Sequence, residues 1–401
     1  MQKPTNTRES APIPLWSLFV LFIKIGGTAF GGFMALISAI QSYVVDRRKL
    51  LKHEDMLDGI SLATILPGPV AVNVVAYVGY RLRGGPGALV SAVAVILPAF
   101  FLLVGLSYSY FTYGQVPVVG KFFSGFIPAV AAIILSAAWN MGTKTIKGLP
   151  EALVALTAFG LLIGIGGFYI TVAIIGGSGF IGWLLFHRAT QSPMSRTKET
   201  DNPVINSPRP GLGAIAVLPL TAAPLMSLQV TAVLKLFTVF AGMSLLLFGG
   251  GYVFIPLMQQ SVVDHYGWVT RQEFIDAIAM GQVTPGPILI SAAFIGYKVA
   301  GLAGAVAATA GIYTPPALVM LASTRFLDRI KASDAIKSGL RGVRSAIIGM
   351  IAAAAITVIR SAEPNWISAI IFLGALAALL RYKVETAWII PIAGTAGLLL
   401  Y

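Results

Sequence analysis

The chain is 401 residues long, 57% hydrophobic and only 11% charged, with a mean hydropathy of +0.84, which excludes a water-soluble globular domain. Its formal charge of +13 lies in breaks between apolar runs, not in one stripe or arm, so it speaks for positive-inside membrane topology and against a nucleic-acid partner. The absence of Cys rules out disulfides and thiolate metal sites, His53, His187 and His265 lack ligand spacing, and no G-x-x-x-x-G-K-[ST] run is present.

Apolar runs of helix-spanning length recur along nearly the whole chain without period-two alternation. The predicted fold is therefore an all-α polytopic membrane protein with the lipid bilayer as solvent, not a β-barrel. The first run starts near Leu15 and continues past Ile40, too long for a signal-peptide core, and is read as mature structure. Phe30-Gly31-Gly32-Phe33 breaks it in the middle. A second broken run covers 56–82, interrupted by Leu66-Pro67-Gly68-Pro69, and further runs follow near 86–109, 122–141, 150–165 and 167–187. The hydrophilic stretch from His187 to Pro210, rich in Pro, Ser, Thr and charge, reads as a linker.

After the linker the same order returns, at 229–263, 274–298, 302–324, 338–359, 365–380 and 386–401. Phe248-Gly249-Gly250, Val262-Val263-Asp264, Asp276 and Pro285-Gly286-Pro287 each follow their first-half counterparts by 218 residues. After one deletion the offset is 217, which aligns Gly79-Tyr80 with Gly296-Tyr297 and Pro98 with Pro315. The expected organisation is a repeat at 1–187, a cytoplasmic linker at 188–211, a connecting transmembrane helix at 212–228 and a second repeat at 229–401. One additional crossing between two copies inverts the second. Charge agrees: Arg47-Arg48-Lys49-Leu50-Leu51-Lys52 is strongly basic while its counterpart, 265–271, holds one Arg. Conversely, 110–121 holds only Lys121, whereas its counterpart carries Arg325, Arg329, Lys331, Lys337, Arg341 and Arg344. Every basic cluster falls on one side if the broken segments enter and return as re-entrant hairpins. The loops 188–210 and 325–344 are then cytoplasmic, and 110–121 and 264–272 periplasmic.

The breaks carry the candidate chemistry. Gly and Pro in the middle of a membrane helix release backbone groups that need a partner. A Pro in the first turn starts a helix well, so the half-helices after Pro69 and Pro287 present N–H groups and a positive dipole end. The predicted anion site is Gly68, Pro69 and Val70 with Gly286, Pro287 and Ile288, joined by the diglycines Gly31, Gly32, Gly249 and Gly250, where missing side chains admit an anion. Asn73, Gln282 and Thr284 offer neutral donors nearby, as do Tyr77, Tyr80, Ser291 and Tyr297, and Lys24 offers an intramembrane positive charge. The plainer alternatives are packing glycines, interhelical hydrogen bonds and a snorkelling lysine. Asp46 and Asp264 are read as caps or partners of loop basics, and Arg341 and Arg344 as markers of the cytoplasmic face. No catalytic constellation, metal site or cofactor is expected.

On the paired motifs, Phe30-Gly31-Gly32 with Pro67-Gly68-Pro69 and Phe248-Gly249-Gly250 with Pro285-Gly286-Pro287, the chain resembles the chromate ion transporter family in its long two-domain form. The similarity covers 12–190 and 229–401. It implies a multi-pass carrier of the bacterial plasma membrane that exports chromate, with sulfate as a structural mimic, and confers chromate resistance; a homodimer is compatible with it. An anion channel, or an importer of sulfate or a related oxyanion, would use the same half-helix ends.

Overall fold

The computed structural model describes residues 13–30, 32–113, 117–186, 224–248, 251–327, 330, 333–361 and 365–401. Every regular element among them is helical. The first half comprises α1 (Leu15–Thr28), α2 (Gly32–Ile40), a π-helical stretch (Gln41–Arg47), α3 (His53–Ile65), α4 (Val70–Tyr113), α5 (Pro117–Ser124), α6 (Phe126–Thr145), α7 (Leu149–Gly164) and α8 (Phe168–Phe186). The second comprises α9 (Pro224–Ser244), a 3-10 turn (Gly251–Val253), α10 (Phe254–Met258), a π-helical stretch (Gln259–His265) and α11 (Arg271–Val283). A 3-10 turn (Ile288–Ile290), α12 (Ser291–Ser323), a 3-10 turn (Thr324–Phe326), α13 (Asp334–Ser361), α14 (Trp366–Leu380) and α15 (Thr386–Leu400) complete it. The expected linker and residues 212–223 lie outside the described residues. Residues 224–228 continue without a break into α9, so the boundary expected at 228/229 falls inside one helix.

Among the described residues, five helices are long and apolar enough to cross a bilayer. Large apolar side chains such as Leu89, Phe101, Leu156, Phe180 and Leu373 stand on the outside, where lipid and not water must meet them. This is an all-α polytopic membrane protein.

Backbone geometry repeats with the sequence. The π-helical stretches are 218 residues apart. So are two positive-φ tips, Gly68 (105°) and Gly286 (116°), and two positive-φ turns, Lys49 (50°) and Gly267 (60°). At the 217 offset, α4 reverses at Arg83–Gly84 and α12 at Ala300–Gly301, with matching angles (φ 63° and 58° at the glycines). Each reversal folds two arms against one another so closely that a methyl group on Gly79 would overlap the Gly87 carbonyl, and one on Gly296 the Gly304 carbonyl. Small residues are needed there for the arms to pack.

Four segments fold back on themselves. In one continuous helix Lys24 and Tyr43 would be roughly 28 Å apart, yet the Lys24 ammonium lies 5.9 Å from the Tyr43 ring. Lys235 likewise reaches the Tyr266 ring at 4.6 Å. Across the next break, Arg81 of α4 pairs with Asp55 of α3. In the second copy Lys298 Nζ lies 2.7 Å from Glu273 Oε1, an ion pair in register with the first. Each pair closes the mouth of a hairpin whose tip is the Pro-Gly-Pro turn. Such breaks are tolerated at membrane depth because protein surrounds them. The second hairpin is the better anchored: Thr270 and Glu273 form a reciprocal capping box at the start of α11. Beyond the hairpins, α12 packs along α9 and α4, and α13 forms a central column against α6, α7 and α8.

Candidate functional site

Each Pro-Gly-Pro tip is held by the other half. Gly68 N donates to Leu247 O at 2.6 Å, and Gly286 N donates to Ala29 O at 3.0 Å. Residues 29 and 247 are equivalent at the 218 offset, as are 68 and 286, so one interaction is made twice, reciprocally. Packing follows the same reciprocity: Gly68 lies against Pro316, and Gly286 against Ala99, its equivalent at the 217 offset. These two glycine amides are therefore already engaged, contrary to the expectation that they would be open to an anion. The amides left without an intrahelical acceptor are those at the helix starts one step on, at Val70, Ala71, Ile288 and Leu289.

Those four residues line a cavity of about 110 Å³, bounded also by Pro69, Gly281, Gln282, Thr284, Gly286, Pro287, Met34, Gly251 and Tyr252. It is small beside the roughly 300–1,000 Å³ of a site for drug-sized ligands, and of a size for a small ion. The opening turns of all four returning helices border it: Val70 of α4, Ile288 ahead of α12, Gly251 ahead of α10, and Met34 near the start of α2. Such ends carry roughly half a positive charge each. Among the described residues no Lys or Arg lines the cavity, so its electrostatics are set there by backbone dipoles and neutral donors.

Gln282 is the side-chain donor. It is 8% exposed, and its Nε2 has no hydrogen-bond partner in the protein, although the Tyr252 hydroxyl stands close enough to interact. A buried amide without an acceptor is costly, and an oxyanion in the cavity would relieve it. Thr284 donates to Gly281 O at 3.0 Å, so its hydroxyl proton is engaged within the chain, contrary to the expectation that it would be open to an anion. Asn73 is wholly buried and donates from Nδ2 to Pro67 O at 3.1 Å, bracing the first tip from behind.

Of the residues predicted from sequence, Pro69, Val70, Gln282, Thr284, Gly286, Pro287 and Ile288 come together at the cavity. Gly68 and Asn73 support the tip without lining it. Gly32 opens α2, while Gly31, Gly249 and Gly250 lie outside the described residues. Lys24 is not brought there: it is exposed on α1 and faces Tyr43. Sequence reasoning missed Met34, Ala71, Gly251, Tyr252, Gly281 and Leu289. Ala71, Gly251, Tyr252 and Leu289 directly follow motifs that were singled out, so extending each motif by a turn would have found them. It also missed the contact of Arg344, which donates from Nη2 to Thr64 O at 2.8 Å, at the end of α3. Arg341 pairs with the buried Glu151 and covers the Phe186 ring at 4.2 Å.

A polytopic helical membrane protein whose folded-back hairpins meet at a small cavity is of the class to which membrane transport proteins belong. The chain belongs to the chromate transporter family, whose sequence model matches residues 16–183 and again 234–398. It is 28% identical over 393 residues to the chromate transport protein of Cupriavidus metallidurans, covering 96% of this chain and 93% of that one. It is 30% identical over 395 residues to the probable chromate transport protein of Synechococcus elongatus, covering 97% of each. An uncharacterized transporter of Methanocaldococcus jannaschii is 30% identical over 375 residues, covering 92% of this chain and 89% of that one. No solved structure matches the chain.

Proposed function

We propose that this protein is a secondary carrier that exports chromate, or a sulfate-like tetrahedral dianion, across the plasma membrane, with the anion held in the cavity between the Pro-Gly-Pro tips. The observation that carries this reading is the buried side-chain amide of Gln282, whose Nε2 has only the Tyr252 hydroxyl nearby as an acceptor, in a small cavity bordered by four helix starts. Free amides at Val70, Ala71, Ile288 and Leu289, with the positive ends of their helices, offset a dianion without a buried guanidinium. Names of relatives in the family support chromate as the substrate. Outward movement of a dianion is favoured by an inside-negative potential.

The two repeats are inverted relative to one another, with the cavity near the midplane between them. Contacts between the halves support this. Tyr110, at the end of α4 remote from its reversal, donates to Asp276 near the mouth of the second hairpin. Phe168 and Tyr169, at the start of α8, meet His265. Arg341, near the start of α13, meets Glu151 at the start of α7. Each contact joins the mouth side of one copy to the far side of the other, and the swapped loop charges agree.

Flux of chromate, sulfate, molybdate and phosphate into inverted vesicles, under imposed pH and voltage gradients, tests the transport reading. Chromate and sulfate should compete and phosphate should not; ohmic current without saturation would make the protein a channel. Single cysteines at Tyr266 and Lys337, in a background with none, should label from opposite sides of the membrane. Labelling from the same side would overturn the inversion.

A further inference from the structure

One acidic side chain at the contact between the halves takes no part in holding the anion. Asp276 lies on α11, roughly 9 Å along the helix from Gln282, and is wholly buried. Tyr110 Oη, from α4 of the other half, donates to its Oδ2 at 2.7 Å, and Gln272 Nε2 donates to its Oδ1 at 3.0 Å. Among the described residues no Lys, Arg or His lies within ion-pair distance of it. The nearest charge acting on it is Glu273, and charges on the elements packed against α11 have other partners or positions. Glu273 on the same helix is held by Lys298 of α12, Arg341 of α13 by Glu151, and Arg344 by the Thr64 carbonyl. Asp264 and His265 belong to the π-helical stretch before α11, Tyr297 to α12, Lys144 to the last turn of α6 and Arg360 to that of α13, while α15 carries no titratable side chain.

A carboxyl so placed is satisfied in two states. Ionised, it accepts both hydrogen bonds; protonated on Oδ2, it still accepts from Gln272 at Oδ1, can turn its own O–H toward the Tyr110 hydroxyl, and loses a charge that burial without a cation disfavours. An anion in the cavity puts further negative charge on the same hairpin, across protein instead of water.

We infer that Asp276 is a proton-binding site linked to anion occupancy: it takes up a proton as the oxyanion enters the cavity and gives it back as the anion leaves. The inference rests on the cavity reading. Linkage is reciprocal, so protonation tightens anion binding by the same factor. Its sign is that of co-movement of proton and anion, not of exchange.

Binding of sulfate, which remains a dianion across the useful pH range, and separately of chromate, is measured by calorimetry on the purified full-length chain in detergent. In the wild type, affinity should rise on acidification by on the order of tenfold. Asp276→Asn keeps the shape and should bind with the wild type's acid-pH affinity at every pH. Tyr110→Phe removes a donor that favours the ionised carboxylate, so it should move the pH midpoint upward; a purely structural role would weaken binding equally at all pH values. Sulfate binding by Asp276→Asn with an unchanged pH dependence overturns the inference and leaves the cavity reading standing. No binding of either anion by the wild type at any pH removes the cavity reading and the linkage with it.

Discussion

The hairpins α3/α4 and α11/α12 share a tip sequence, tip angles and a mouth ion pair, yet they sit in different surroundings. From Phe274 to Gln282 every residue of α11 is buried, whereas α3 buries only Met56, Gly59, Leu62 and Ala63. The tips differ as well. A methyl group on Gly68 would overlap the Pro316 ring, while one on Gly286 would meet only Ala99 Cβ, at 3.5 Å. Backbone geometry has been kept through the duplication while the side chains that enclose it have diverged. The second hairpin supplies most of the cavity wall, including its side-chain donor; the first supplies amides and is clamped from outside by Arg344.

The largest expected effect tests that asymmetry. Gly68→Ala adds a steric clash to a backbone angle that disfavours any side chain, and should cost about 3 kcal/mol or more with loss of transport. Gly286→Ala carries the angle alone, about 1–2 kcal/mol. Thermal unfolding in detergent and vesicle uptake should rank them in that order, and adding Pro316→Ala should recover part of the first loss but none of the second. Equal losses would erase the distinction between the tips.

Next comes the donor. Gln282→Leu should lower uptake about tenfold or more, the size of one lost hydrogen bond to a charged group, ~1.5–3 kcal/mol, with little change in Tm. Its counterpart at the 218 offset is Thr64, whose hydroxyl donates to Ser61 O within its own helix; Thr64→Val should transport nearly as well as wild type. A loss at Thr64 matching that at Gln282 would make the cavity symmetric after all.

Smaller effects are expected at the mouths. Asp55→Asn and Glu273→Gln break partly exposed ion pairs and should each change stability by under about 1 kcal/mol. Smallest is Lys24→Gln, which should stay within about twofold of wild-type uptake, because the ammonium faces Tyr43 and the equivalent position of the other repeat is Gly242. A larger loss than at Gln282 would return Lys24 to the anion path.

Much of this was legible beforehand because it is local. Helix length, the 218-residue register, the breaks at Gly and Pro and the loop charges are written in consecutive residues. That the broken segments return was legible only through where the basic residues fall. What could not be read is what each tip touches. The engagement of Gly68 by Leu247 and of Gly286 by Ala29, the Tyr110–Asp276 bond and the reach of Arg344 to Thr64 all join residues distant in sequence, and none has a spacing that marks it. Lys24 misled for the opposite reason: a charge in an apolar run signals depth, but the side of the helix it occupies depends on which neighbours the helix finds.

The crossed bonds at the tips bear on how the protein is made. When the first half leaves the ribosome, Gly68 N–H has no acceptor, because Leu247 has yet to be synthesised. An amide stranded at membrane depth is expensive, so the first hairpin cannot settle in its final position ahead of the second. Closure of the tips thus requires both copies: neither Pro-Gly-Pro turn can make its crossed bond until the second half is present.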